Sequence, residues 1–263
     1  MARVKEGLTS IKGYINGISF YSMEGKDYAK RSSAPDPVRL ATDPVYTKVR
    51  TNFNLFGVVS NIVKPLRITL HASFGNAMKN RINGALVSLF RSMVMAAPDN
   101  YLLNLRQHAK ALQAFSFHEE RIFDQTAAFL PFELICAPDR SSVRLQIKPF
   151  QHSRKKGESG RTHFRMTVAV QPFADHTARV SGESIVFKPA KNDWHTRLIM
   201  ADSGYCPIGG LKKAHVITLE IPPAAATKKT SLLVLLHLSF YEEVNGTMYL
   251  MSSESVLKIA DVM

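Results

Sequence analysis

The feature that most limits what this 263-residue chain can fold into is a run near its C-terminus. Leu232-Leu233-Val234-Leu235-Leu236-His237-Leu238-Ser239-Phe240-Tyr241 is apolar at nearly every position, breaks at Glu243-Val244-Asn245-Gly246, and resumes with Met248-Tyr249-Leu250-Met251. Strand side chains alternate between two faces, so a run apolar on both needs cover on both, as in the central strand of a packed sandwich. Asn-Gly between two such runs is the strongest short hairpin signal, because both residues tolerate the positive φ of a type I′ turn.

Period-two patterning dominates from residue 98 onward. Val143-Arg144-Leu145-Gln146-Ile147-Lys148 alternates, and Phe164, Met166, Val168 and Val170 repeat the pattern beyond a basic segment, so the two read as one hairpin. Phe115-Ser116-Phe117, Phe132-Glu133-Leu134-Ile135, Ile185-Val186-Phe187, Arg197 to Met200, Val216 to Ile221 and Ser255 to Val262 add short strands bounded by Gly, Pro or Asp. Trp194, the only tryptophan, reads as a core anchor. The expectation is a mainly β protein whose residues 98–263 form an antiparallel two-sheet β-sandwich, Ig-like or jelly-roll-like.

Two further segments precede that body. Residues 42–97 read as a helical hairpin. Thr42-Asp43-Pro44 supplies a polar cap and a first-turn proline, and Val45, Val49, Phe53, Phe56, Val59 and Val63 follow near a 3.6 period. Pro65 is expected to end or kink this helix. A second helix is predicted from Asn76, with Met78, Ile82, Ala85, Leu86, Leu89 and Met93 inward. Residues 1–41 read as an extended β-ribbon arm, turning at Asn16-Gly17 and Glu24-Gly25, and ending in a non-helical linker around Ser32-Ser33-Ala34-Pro35-Asp36-Pro37. A lone two-stranded ribbon is barely stable in water, so the arm must lie on its own domain or on a neighbour.

Composition sets the class. With 45% hydrophobic and 21% charged residues the chain is globular, not disordered. The formal charge of +13 favours contact with nucleic acid or another polyanion, yet the basic residues are dispersed. The one dense cluster is Arg154, Lys155 and Lys156, with Arg161 close behind, on a Gly- and Ser-bearing hairpin tip. No signal peptide and no apolar run of membrane-spanning length is visible. Cytoplasmic synthesis is therefore expected, with release or export by a signal-independent route left open.

Little points to catalysis. Cys136 and Cys206 sit in apolar or small-residue surroundings and read as buried free thiols. Nine histidines include His152, His163, His176, His195 and His215, none at a metal-ligand spacing, and each reads as a surface or strand-face residue. Ser203-Gly204-Tyr205-Cys206 lacks the strand-turn-helix context of a nucleophile elbow. No Walker loop, dinucleotide fingerprint or carboxylate dyad is present. The reading is a non-enzymatic protein with no cofactor.

Both ends of the chain resemble a known group. Gly17-Ile18-Ser19-Phe20-Tyr21 through Gly25 and Lys26 to Arg31, and Leu238-Ser239-Phe240-Tyr241-Glu242-Glu243-Val244-Asn245-Gly246-Thr247-Met248-Tyr249 through Ala260, are similar to an uncharacterised family of proteins common in Bacteroidota. The resemblance covers about a third of the chain and implies structural motifs, not a catalytic residue. Glu24 and Asp27 depart from the more basic ribbon of such proteins.

An apolar ribbon, a proline-rich linker and a strand-rich body together predict a structural protein that self-assembles into a filament or ring. The arm would add a strand to a neighbour, through Ile18, Phe20, Tyr21 and Tyr28. The alternative is a nucleic-acid or polyanion-binding accessory protein using Arg154, Lys155, Lys156 and Arg161.

Overall fold

The computed structural model describes residues 2–3, 13–23, 26–31, 36–78, 82–95, 102–118, 120–153, 160–181, 184–192, 194–195 and 197–263. The chain is mainly β, with several open antiparallel sheets and a few helices. It divides into two compact units, Met1–Asn52 and Phe53–Met263. The division falls inside a helix, not at residues 41 and 97 where the sequence pattern changes.

The N-terminal unit holds a four-stranded sheet in the order β1-β4-β3-β2, built from β1 (Ala2–Arg3), β2 (Gly13–Ile15), β3 (Ile18–Met23) and β4 (Lys26–Arg31). The β2–β3 turn places Asn16 at φ 46° and Gly17 at φ 79°, the pair of left-handed residues that a type I′ turn needs. The expected linker is partly helical: α1 (Pro37–Thr42) starts where the Asp36 carboxylate accepts the Val38 N–H and Pro37 fills the first position. Proline costs nothing there, because that N–H has no helical partner in any case.

The long helix α2 (Thr47–Phe74) follows a capped turn at Asp43, whose carboxylate accepts the Val45 N–H. It runs on through Pro65 instead of ending there. One lost hydrogen bond is outweighed by a stripe buried on both sides of the proline: Leu55, Val59, Ile62, Val63, Leu66, Leu70 and Phe74. The second helix, α3 (Ile82–Met95), starts later than expected because a single turn at Gly75–Ala77 intervenes.

Beyond α3 come β5 (Leu102–Leu103), α4 (Ala109–Gln113), α5 (Phe123–Thr126), β6 (Phe132–Cys136), β7 (Ser142–Ile147), β8 (Phe150–Gln151), β9 (His163–Ala174), β10 (His176–Ser181) and β11 (Ser184–Pro189). The rest is β12 (Ile199–Asp202), β13 (Cys206–Pro207), β14 (Gly210–Leu211), β15 (His215–Glu220), β16 (Thr230–Val244), β17 (Thr247–Leu250) and β18 (Val256–Val262). The largest sheet places β16 between β9 on one side and, end to end, β17 and β18 on the other. Asn245 at φ 51° and Gly246 at φ 80° form the predicted hairpin turn.

Covering both faces of β16 organises the second unit. Leu232, Val234, Leu236, Leu238 and Phe240 share a core with Phe164, Met166, Val168 and Val170 of β9, Val143, Leu145 and Ile147 of β7, and Ile217 and Leu219 of β15. Leu233 and Leu235 enter a second core with Ala169, Phe173 and the inner stripes of α2 and α3. The helices therefore share their core with the sheet and do not stand as a separate hairpin domain. The expected β7–β9 hairpin is absent for the same reason: β7 pairs with β6 and β15 in a three-stranded sheet, and β9 lies across the core from it. Of the expected strand at Phe115–Phe117, a single bridge remains, Ser116 to Lys258.

Candidate functional site

The residues assigned to assembly lie in the N-terminal sheet, but the register splits them. Directly paired residues share a face of an antiparallel sheet. Ile15 pairs with Ile18, and Phe20 with Ala29, which places an apolar set on one face, together with Arg31, the other partner of Ile18. Tyr14 pairs with Ser19, Ser19 with Lys30 and Tyr21 with Tyr28, which places tyrosines and lysine on the other. The Tyr21 and Tyr28 rings stack with centroids 5.6 Å apart. Within its own chain β3 pairs with β4 along its length and with β2 from Ile18 to Phe20, so Ile18 and Phe20 already have strands on both sides, whereas among the described residues Tyr21 pairs with Tyr28 alone. Among the described residues, the two outer strands of this sheet are β1 and β2.

No described residue of the N-terminal unit is buried. Tyr14 is 66% exposed, Ile15 49% and Ile18 38%. Among the described residues the sheet buries no side chain, and its apolar face leaves Ile15 and Ile18 exposed and Phe20 half-buried.

A second uncovered edge occurs at the other end of the chain. On the flank of β16, α4 and α5 pack against β18, and Ser116 bridges to it. The collinear β17 has no paired strand on its outer side among the described residues, and it exposes Tyr249 and Leu250. Glu242 and Glu243 are exposed at this hairpin, whereas Lys26, Lys30 and Arg31 are exposed on the N-terminal sheet.

Of the residues assigned to polyanion binding, Arg154, Lys155 and Lys156 lie outside the described residues. Arg161 is engaged: its Nε sits 2.5 Å from Glu254 Oε2, and its guanidinium lies 4.5 Å from the centroid of Phe240. A different basic group comes together instead. Lys191, Lys228 and Lys229 line a shallow depression of about 500 Å³ with Ala190 and Thr227. No sequence signal joins residues 191 and 228, because only the fold brings them together.

The histidines are less superficial than their scatter implied. His176 is buried and His195 half-buried, with ring centroids 5.5 Å apart, against Phe173. Burial first, then the neighbouring His195, holds the His176 pKa down to about 4, so this ring is neutral at pH 7. Both rings line an apolar cleft of about 440 Å³ with Val58, Ile62, Pro65, Phe187 and Pro189. Beside them, buried Asp175 accepts from Asn104 Nδ2 at 3.1 Å and lies 3.7 Å from Arg106. Burial raises its pKa, and the nearby guanidinium opposes that rise.

Elsewhere His152 packs on Phe129 at 4.9 Å, and His163 Nδ1 lies 3.7 Å from Glu243. Cys136 is half-buried and Cys206 buried, both free, and burial together with Asp261 pushes Cys136 up to about 12. Trp194 packs at the rim of the inter-sheet core, with Arg197 5.3 Å from its ring. Among the described residues no three His, Cys, Asp or Glu side chains converge as a metal site. None of the described helices is long and apolar enough to cross a membrane. Comparison of the chain with protein-family models, characterised proteins and solved structures found no match.

Proposed function

We propose that this is a non-enzymatic structural protein that assembles head to tail with copies of itself. The β2 edge and the face bearing Ile15, Ile18 and Phe20 of one N-terminal sheet would meet the β17 edge of the next copy. The observation that carries the reading is the N-terminal sheet: with no described residue buried, its apolar face gains most by burial against another chain. A second copy is the favoured occupant because the same chain offers an unpaired strand edge at β17, beside the acidic Glu242 and Glu243 of β16, while the N-terminal sheet carries the basic Lys26, Lys30 and Arg31 on β4. Pairing an edge strand with a foreign edge satisfies backbone groups that water would otherwise serve. Because the two surfaces differ, the contact is heterologous and repeats into a ring or filament. The two sheets that share the inter-sheet core would form the sandwich-like body of each repeat.

Light scattering and negative-stain microscopy of the full chain test this directly. Rings or filaments that grow with concentration are expected, and a monomer at every concentration overturns it.

A second reading, polyanion binding, is favoured by the Lys191, Lys228 and Lys229 cluster together with the net charge of +13. It requires retention of DNA or RNA on a filter that falls steeply as salt rises. No retention at low salt removes it.

A further inference from the structure

The proline inside α2 lines the cleft that also holds two histidines. Val58, Ile62 and Pro65 recur at helical spacing and so share one face of α2. Opposite them, the β10–β11 register pairs His176 with Pro189, and Phe187 lies on the same face of that sheet as Pro189. His195 completes the lining of this space of about 440 Å³.

His195 gives this apolar space one oriented polar group. Its Nδ1 accepts the Ala174 N–H at 3.0 Å. A backbone N–H can only donate, so the neutral ring must carry its own proton on Nε2. Nε2 has no partner among the described residues, and unlike His176 Nδ1 it is not sealed from solvent. The ring is held in place by Phe173 at 5.1 Å and His176 at 5.5 Å. Its backbone is pinned as well: the His195 carbonyl accepts from Gln171 Nε2 at 3.0 Å, and the His195 N–H donates to the Asn192 carbonyl at 3.2 Å. Burial lowers the pKa of both histidines, that of His176 to about 4, so neither ring is charged at pH 7. The Ala174 bond also disfavours a metal, because it occupies the one ring nitrogen of His195 that carries no proton.

We propose that this cleft binds an uncharged, largely apolar small molecule that offers one carbonyl-type acceptor to the His195 Nε2–H. The size follows from the volume, which lies within the range of roughly 300 to 1,000 Å³ typical of small-ligand sites. The neutrality follows from the walls. Among the described residues no charged side chain lines the cleft, so a charged ligand would leave water without finding a counter-charge. The acceptor follows from the donor: its tautomer and ring position are set before a ligand arrives, which lowers the ordering cost of binding. A hydrogen bond from a fixed N–H beside apolar walls then orients the ligand, while the walls supply most of the affinity.

The test uses prodan, a neutral naphthyl ketone whose emission shifts to the blue in apolar surroundings, titrated into the full chain. Saturable, blue-shifted binding is expected, and Val58→Trp, which fills the cleft, should abolish it. Acetylnaphthalene should compete for the site about ten-fold more strongly than ethylnaphthalene, which has a similar shape without the carbonyl. In His195→Asn that preference should vanish, because the Asn oxygen can still accept the Ala174 N–H but no donor stands at the Nε2 position. Circular dichroism establishes that both variants are folded. Should either fail to fold, the two competitors on the parent chain decide alone. Absence of saturable prodan binding overturns the proposal, as does binding unchanged in Val58→Trp. Equal competition by the two naphthalenes on the parent chain overturns the role of His195. Tighter binding of the anionic anilinonaphthalenesulfonate than of prodan overturns the neutral ligand class.

Discussion

Phe74, the last residue of α2, packs against His237 of β16 with ring centroids 4.9 Å apart and planes tilted by 38°. The contact closes the helix layer over the sheet, and it does so by burying an ionisable ring. Burial, and secondarily the charge of Arg165, lowers the His237 pKa from 6.5 to about 4.

That shift makes a pH prediction with a definite sign. The unfolded chain binds a proton at His237 near pH 6.5 and the folded chain only near pH 4, so stability is full above 6.5 and falls as pH drops towards 4. The size is of order 3 kcal/mol at most. His176 titrates in the same direction, lowered to about 4 by burial and His195. Urea midpoints measured at neutral pH and at pH 5 should show the loss, and His237→Phe, which keeps an aromatic ring against Phe74, should reduce it. A midpoint flat across this window would refute the buried neutral histidines.

Asp175 anchors a second prediction. It is buried and takes hydrogen bonds from Asn104 and, at 3.5 Å, Ser231, with Arg106 3.7 Å away. Asp175→Ala leaves buried donors without an acceptor and should destabilise by about 2 kcal/mol or more, whereas Asp175→Asn retains an oxygen and should cost less. Equal losses for the two variants, read by denaturant unfolding, would show that the network contributes only packing.

Gly210 gives a sharper steric test. It stands at φ +134°, and a Cβ there would lie 2.2 Å from the Phe150 carbonyl oxygen across the β14–β8 pair. Gly210→Ala must break that pair and should cost at least ~2 kcal/mol, while Gly209→Ala, next door and with open space around its Cβ, should be nearly neutral. The comparison of thermal midpoints isolates geometry from composition.

How much of this was legible in the sequence depends on the range of the interactions. The β16–β17 hairpin was readable because Asn245-Gly246 and the doubly apolar run are local signals, and the Asp43 cap was readable for the same reason. Pro65 misled because its cost is local, whereas the buried stripe from Leu55 to Phe74 that overrides it is a tertiary effect. The partner of β7 was misassigned because alternation reports which face is inward, not which strand is adjacent. Val58, His176 and His195 carry no motif, and only strand register and the packing of α2 bring them to one cleft. The four residues assigned to assembly were placed in one sheet, but alternation along β3 sends Phe20 and Tyr21 to opposite faces.

That split allows the assembly reading to be tested by face. Phe20→Lys, on the face shared with Ile15 and Ile18, should shift the full chain towards monomer by at least ten-fold in apparent affinity, about 1.4 kcal/mol. Tyr21→Lys, on the tyrosine face, should leave assembly within a few-fold of the parent. Sedimentation velocity distinguishes them, and equal effects would mean that both variants merely unfold the sheet.

A head-to-tail contact has a further signature that no symmetric contact shares. Ile15→Lys blocks the β2 side of the interface and leaves β17 intact, while Tyr249→Lys blocks β17 and leaves β2 intact. Each variant alone has only one working surface and should remain monomeric, since every contact needs one of each kind. Mixed in equal amounts, the intact β17 of the first and the intact β2 of the second should meet once and stop, because the remaining surfaces are both blocked. The expected product is a one-to-one dimer, visible by size-exclusion chromatography with light scattering. A self-complementary contact, in which the same patch faces itself, would instead let the variant that keeps that patch dimerise on its own, without the other variant. Two monomer peaks in the mixture would end the head-to-tail geometry, and polymer formed by either variant alone would show that β2 and β17 are not the contacting edges.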